Sequence, residues 1–130
     1  MNNLAVTLTR AARVLAADLD ALLKPSGLAT DHWLVLQTLH DENGLTMTEM
    51  VERTGTNAAT LTRVVDKLIS KSFAYREVDG ADRRKIRVYL STRGKSFHRR
   101  TAGAVAEHEQ TLIDRGDLEF AFAPATGPVS

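Results

Sequence analysis

Apolar residues at Leu4, Leu8, Ala12, Leu15, Leu19 and Leu22 recur at spacings of three and four, which places them along one face of an α-helix. The pattern predicts a helix over residues 3–23, stopped by Lys24-Pro25-Ser26-Gly27. Its apolar stripe needs cover, either from an antiparallel neighbour or from a second chain. A second helix is predicted from Thr30, as N-cap, to about His40, with Trp33, Leu34, Leu36 and Leu39 on its buried side and Asp41-Glu42-Asn43-Gly44 ending it.

Thr46-Met47-Thr48-Glu49 is a capping-box pattern and opens a short helix whose apolar side is Met47, Met50 and Val51. Gly55 suits the left-handed conformation that ends it, and Asn57 suits the cap of the next. In that next helix Leu61, Val64, Val65, Leu68 and Ile69 form the core face, leaving Ala58, Ala59, Thr62, Arg63, Asp66 and Lys67 outward. After Lys71 the period changes to two. Phe73, Tyr75 and Glu77 alternate with Ala74, Arg76 and Val78, and Ile86, Val88 and Leu90 with Lys85, Arg87 and Tyr89, so a hairpin is predicted with Arg83, Arg84 and Lys85 beside Asp79 and Asp82 at its tip. Ser91 then caps a last long helix, Thr92 to Arg115, with Phe97, Ala104, Val105, His108 and Leu112 along one side and Gly116 as its stop. Residues 117–130, with Pro124, Gly127 and Pro128, are expected to hold short helical structure at most, then disorder.

Short helix, tight turn, longer helix and hairpin, in that order, make a winged helix-turn-helix: a mainly α fold with a small β-wing. A chain of 130 residues has room for one domain, taken as residues 1–116. With no cysteine, disulfides, thiolate metal sites and thiol redox sensing are excluded. No basic start with an apolar run and no membrane-length apolar stretch is visible, so a cytoplasmic location is expected.

Net charge is only +1, but its distribution is uneven. Residues 45–100 hold 13 Lys or Arg against 6 Asp or Glu, and the rest of the chain 4 against 10. The basic excess falls on the helix-turn-helix and wing, as a footprint for phosphates requires. Alanine and threonine let a helix approach base edges and can meet a thymine methyl, and Arg63 has the reach for guanine or phosphate. An arginine on a wing loop suits the narrow minor groove, with Asp82 orienting it, since a carboxylate beside phosphates is repelled.

The run LTMTEMVERTGTNAATLTRVVDKL, the Asp82-Arg83-Arg84 triplet and VYLSTRG closely resemble the DNA-binding core of the MarR family of bacterial transcription regulators, over roughly Leu4 to Arg115. The resemblance implies a homodimer that binds pseudopalindromic double-stranded operators, usually as a repressor, and often releases them on binding a small molecule. Under it the winged core spans about 30–91. The helix from Asn57 to about Ser72 enters the major groove, presenting Asn57, Ala58, Ala59, Thr60, Thr62, Arg63 and Lys67. The wing contributes Arg84, with Asp82 orienting it and Arg83 and Lys85 beside it. Helices 3–23, through Leu4, Leu8, Leu15 and Leu19, and 92–115 form the dimerisation lobe. Three departures stand out. Ser72-Phe73 replaces the family's usual Gly-Leu, so a strained or altered join to the wing is expected. A further long terminal helix is missing from the pattern, so a smaller or differently built dimer contact is expected. Lack of cysteine rules out the thiol-based peroxide-sensing branch.

In relatives an aromatic acid or phenol sits between the two lobes. His32, Trp33 and His40 lie on the helix bordering that cleft and offer hydrogen bonding and stacking, or else Trp33 is core and the histidines are surface or capping groups. The four histidines are spread over separate helices, so no metal site is expected, and no cofactor. No convergent nucleophile, base and oxyanion donors or phosphate loop suggests an enzyme. The rival to a DNA-binding regulator is a winged-helix module that holds a protein partner.

Overall fold

The computed structural model describes residues 3–115, with five helices, a 3-10 turn and a three-stranded sheet: α1 Leu4–Leu23, the turn Lys24–Ser26, α2 Thr30–Asp41, β1 Leu45–Thr46, α3 Met47–Thr54, α4 Ala58–Ser70, β2 Ala74–Val78, β3 Ile86–Leu90 and α5 Thr92–Arg115. The expected stop at Gly116 and the segment 117–130 lie outside the described residues.

Asn3 caps α1, its side chain accepting from the Val6 amide at 3.2 Å. The apolar stripe of α1 is only partly covered by the described residues. Leu4 and Leu8 stay 61% and 46% exposed, while Leu15 and Leu19 are half-buried. The residues that α1 does bury are Thr7, Ala11 and Leu23. Thr30 is not the cap of α2 but its first residue, with Ala29 at the N-cap position. A tertiary contact replaces the side-chain cap: Asp20 of α1 accepts the Thr30 amide at 2.7 Å, and the Thr30 hydroxyl lies 2.7 Å from the same oxygen and 3.0 Å from Ala16 O. A short-range sequence pattern cannot reveal a cap supplied from ten residues away. In α2, Trp33, Val35, Leu36 and Leu39 are buried, and Leu34 only partly so.

Both halves of the capping box on α3 form, Glu49 N to Thr46 Oγ1 at 3.1 Å and Thr46 N to Glu49 Oε1 at 3.0 Å. Gly55 takes φ 71°, the left-handed turn between α3 and α4, and Asn57 caps α4 through Thr60 N at 2.9 Å. Leu61, Val64, Val65 and Leu68 of α4 enter one core with residues from α2, Met50, Phe73, Val88, Leu90, Phe97 and Val105. Ile69 packs at its margin. On α5, Phe97, Val105 and Leu112 are buried as expected, but Ala104 faces outward and His108 is half-buried; Ala102 packs against the core instead.

The sheet is antiparallel in the order β1-β3-β2. Strand β1 has two residues, too few for an alternation to show in the sequence, and pairs Leu45 with Val88 and Thr46 with Arg87. It thereby fastens the start of α3 to the wing.

Serine, not glycine, ends α4. Ser72 has φ 63°, the one positive value at a non-glycine position among the described residues. Its amide bonds to Ile69 O and that of Phe73 to Leu68 O, both at 2.9 Å, which is the Schellman arrangement with serine where glycine is favoured. The Phe73 carbonyl then accepts the Ser91 amide at 3.0 Å, and the Ser91 hydroxyl donates to Ser72 O at 2.6 Å and accepts from Gly94 N at 2.9 Å. A Cβ at Gly94 would stand 1.9 Å from Phe73 O, so only glycine lets α5 start against the end of α4. The left-handed serine costs about 1–2 kcal/mol, and glycine's greater freedom when unfolded offsets about 0.5–1 of that. Ser72→Gly is therefore expected to raise unfolding free energy by about 0.5 kcal/mol in urea titrations, and Ser72→Val to lower it by more than about 1 kcal/mol. A destabilised Ser72→Gly would show that the join is not strained.

Candidate nucleic-acid interface

Ala58, Ala59, Thr62, Arg63, Asp66 and Lys67 all lie on the exposed side of α4. Asn57 and Thr60 are partly committed to the helix itself, Asn57 as the cap and Thr60, half-buried, as acceptor from Arg63 Nη2 at 3.3 Å. The Thr62 hydroxyl donates to Ala58 O at 2.9 Å, which leaves its lone pairs outward. Asp66, the single acid of this face, is ion-paired with Arg76 of β2. Charge that would repel phosphate is thus tied to the wing.

The wing is built on carboxylates. Asp79 Oδ2 accepts the amides of Ala81 at 3.1 Å and Asp82 at 2.7 Å, folding the loop back on itself. Asp82 Oδ1 accepts both the Arg84 amide at 3.1 Å and its Nε at 3.0 Å, and Oδ2 accepts Nη2 at 3.2 Å. This fork leaves the Arg84 side chain 90% exposed and aimed by its neighbour. Arg83 and Lys85 stand exposed beside it.

Arg87 was not singled out by sequence reasoning and turns out to be the link between wing and helix-turn-helix. Its Nε donates to Asp79 Oδ1 at 2.7 Å, and its Nη1 to Gly44 O at 2.9 Å and Glu49 Oε1 at 3.1 Å. Glu49 is also the capping-box acid of α3, so one carboxylate holds the helix start and the wing strand together. Asp79 lies below the ordinary carboxylate range chiefly through its bond from Arg87, Asp82 through Arg84, and Glu49 through the Thr46 amide. The available signal was a lone arginine between Ile86 and Val88 in an apolar strand.

His32, Trp33 and His40 do not converge. His32 Nδ1 accepts the Ala29 amide at 3.0 Å, a capping role, and burial followed by the charge of Lys67 holds its pKa low. Trp33 and His40 each stack on the ring of His98 of α5, at 4.9 and 4.0 Å between centroids. His98 is 4% exposed, with Nε2 2.8 Å from Gln37 Oε1. Two clefts flank the stack. One of about 300 Å³ is lined by Leu15, Leu19, Trp33, Gln37, Val105 and His108; the other, about 570 Å³, by His40, Asn43, Lys95, His98 and Arg99. No group of three or more metal-ligating side chains occurs among the described residues.

A sequence model of the MarR family matches residues 26–85, the stretch from the start of α2 through the wing tip. Over those residues the chain is similar to the MarR family. The HTH-type transcriptional regulator SarZ of Staphylococcus epidermidis is 32% identical over 75 residues, 58% of this chain and 51% of that protein. The match therefore spans about half the length of the curated relative. A MarR family transcriptional regulator from Silicibacter pomeroyi superposes with a TM-score of 0.76 at 25% identity, covering 82% of this chain and 71% of that one. Bordetella bronchiseptica BpsR, whose DNA binding is described as regulated by 6-hydroxynicotinic acid, superposes at 0.75 with 20% identity, covering 98% and 96%, and at that identity speaks for the fold alone. The MarR-type winged helix accounts for the core of this chain. No helix among the described residues is long and apolar enough to cross a membrane.

Burial, the charge of His40 and the surroundings of His98 favour its neutral form, so its pKa lies below the ordinary 6.5, with Asp41 opposing. A folded pKa below the unfolded one gives stability that is whole above about pH 6.5 and falls as pH drops toward the folded value. His32 contributes in the same direction. The lowered carboxylates keep their contribution until pH falls below about 4. The urea midpoint is expected to fall between pH 7.5 and 5.5, and less steeply in His98→Gln. An unchanged slope in that variant would place the titration elsewhere.

Proposed function

We propose that this protein is a sequence-specific, double-stranded DNA-binding transcription regulator, acting as a homodimer and most simply as a repressor released by a small aromatic effector. The observation that carries the reading is the pairing of two surfaces: an α4 face of small, hydroxylic and basic residues whose one acid is neutralised by Arg76, and a wing whose Arg84 is held out by Asp82. Ala58, Ala59, Thr62, Arg63 and Lys67 read the major groove, with Asn57 and Thr60 at the helix start. Arg84 enters the minor groove, and Arg83 and Lys85 contact phosphate. The relationship to SarZ, named as a transcriptional regulator, supports the same reading.

A second copy covers the α1 stripe, on which Leu4, Leu8 and Val14 remain 61%, 46% and 54% exposed. The aromatic effector enters the cleft lined by Leu15, Leu19, Trp33 and Val105, with Gln37 and His108 as polar contacts. His32 has no part in this site, since its ring caps α2. A winged-helix module for a protein partner would use the same surfaces, but the basic α4 face and extended arginine favour nucleic acid.

Duplex affinity is expected to fall with salt at a log-log slope of about −0.9 per phosphate neutralised, and Arg84→Ala to weaken binding about tenfold or more at constant salt. Fluorescence anisotropy on a fragment selected from the source genome measures both. A salt-insensitive chain that retards no duplex would sink the proposal. Leu8→Glu is expected to shift the sedimentation of the protein from dimer to monomer, with half-sites about 10 base pairs apart protected only by the wild type. Monomeric wild type at micromolar concentration would remove the homodimer.

A further inference from the structure

Lys24, Lys71, Arg93 and Arg100 line one cleft of about 660 Å³, between the Lys24–Ser26 turn, the end of α4 and the first three turns of α5. It lies apart from the α4 face and wing tip assigned to DNA, and apart from both clefts beside His98. No carboxylate among the described residues lines it. The ion pairs of the described residues run through Arg53, Arg76, Arg84, Arg87 and His108, and none reaches these four cations. Asp20, one helical turn before Lys24, is engaged by Thr30 at 2.7 Å.

Four like charges facing one space repel each other, and no acid among the described residues pairs with them. Elsewhere in the chain arginines that approach one another's elements are matched by acids, as in Arg76 with Asp66 and Arg87 with Asp79. The cations are also held in place. The Arg93 guanidinium lies 5.3 Å from the centre of the Phe73 ring, and Phe73 stacks on Phe97 at 4.6 Å, giving the cleft a rigid aromatic floor. The Lys71 ammonium lies across Gly27. Ser96 accepts from Arg99 at 3.3 Å, so its own proton remains to donate, and Ser26 offers a second hydroxyl. Arg93, Ser96 and Arg100 share one face of α5 by their spacing of three and four, close to the positive end of its dipole.

We propose that this cleft is a binding site for a small molecule carrying several phosphate groups, of the size of a nucleoside polyphosphate. Two guanidinium forks, two ammonium groups and two hydroxyl donors around a concave floor match clustered phosphate oxygens. A duplex backbone needs a linear basic ridge, whereas these four cations line a single cleft. An occupant that binds the folded chain stabilises it, because it relieves the repulsion present in the empty cleft.

The test uses sodium tripolyphosphate as probe, titrated calorimetrically against the full chain, with sodium chloride at matched ionic strength as reference. Saturable binding of one equivalent per chain is expected, with a rise in melting temperature. Lys24→Gln/Arg100→Gln, which alters two exposed side chains, is expected to weaken it about tenfold while duplex affinity stays within about twofold. Arg93→Gln should do the same, and the double variant guards against loss of the Phe73 contact. Arg84→Ala is expected to bind tripolyphosphate as the wild type does. The proposal is overturned if the wild type gives no saturable heat, if the double variant binds equally well, or if Arg84→Ala abolishes binding. It is overturned too if the double variant loses duplex affinity in parallel, which would assign the cleft to the DNA backbone.

Discussion

The carbonyl of Phe73 is the point on which the recognition helix, the wing and the last helix depend together. It follows the Phe73 amide that closes the Schellman turn of α4, accepts the Ser91 amide where β3 closes, and sits against Gly94 in the first turn of α5. A Cβ at position 94 would stand 1.9 Å from that oxygen, well inside van der Waals contact, so the direction in which α4 presents its outer face is fixed by a backbone clash avoided. The strain at Ser72 is tolerated because the surroundings over-determine it: the serine's own amide and carbonyl and the next residue's amide and carbonyl are all bonded.

A second constraint is electrostatic and lies at the other end of the site. Three carboxylates, Glu49, Asp79 and Asp82, are spent on positioning cations and amides. Most of these groups are near solvent, so each pair contributes little to stability alone. Their value is geometric. Arg87 joins the α3 start to the wing, and Asp82 gives Arg84 one direction, so the α4 face and the wing tip keep a set separation. The proposed contact with two grooves at once needs such a relation more than it needs affinity from any one contact.

Much of this was legible in the sequence because the information is local. Helices α3 and α4, the Gly55 turn, the Asn57 and Ser91 caps and the exposed α4 face follow from spacing and capping within a few residues. The substitution of serine for glycine at the end of α4 likewise pointed to a strained join, and Ser72 carries it. What escaped is long-range. The cap of α2 comes from Asp20, the Arg87 network joins residues some forty apart, and β1 is too short to have a period. Of the two readings of the α2 histidines and tryptophan, a core Trp33 and a capping His32 match the structure. Residue type suggested His32, Trp33 and His40 as a group, yet helix geometry turns His32 to its own N-terminus and brings in His98 from α5 as the ring between the other two. The α1 stripe is apolar as its spacing suggested, but the residues α1 buries, Thr7, Ala11 and Leu23, lie beside it and depend on packing that periodicity does not encode.

The central claim is that duplex DNA is held by the α4 face and the wing tip together. Amide chemical-shift mapping tests it directly, by recording the isotope-labelled protein with and without a duplex selected from the source genome. The account predicts perturbations concentrated in residues 57–67 and 79–85, with the cleft between Lys24, Lys71 and Arg100 little changed. Perturbations confined to α1 and α5, or spread evenly over the basic surface, would contradict it.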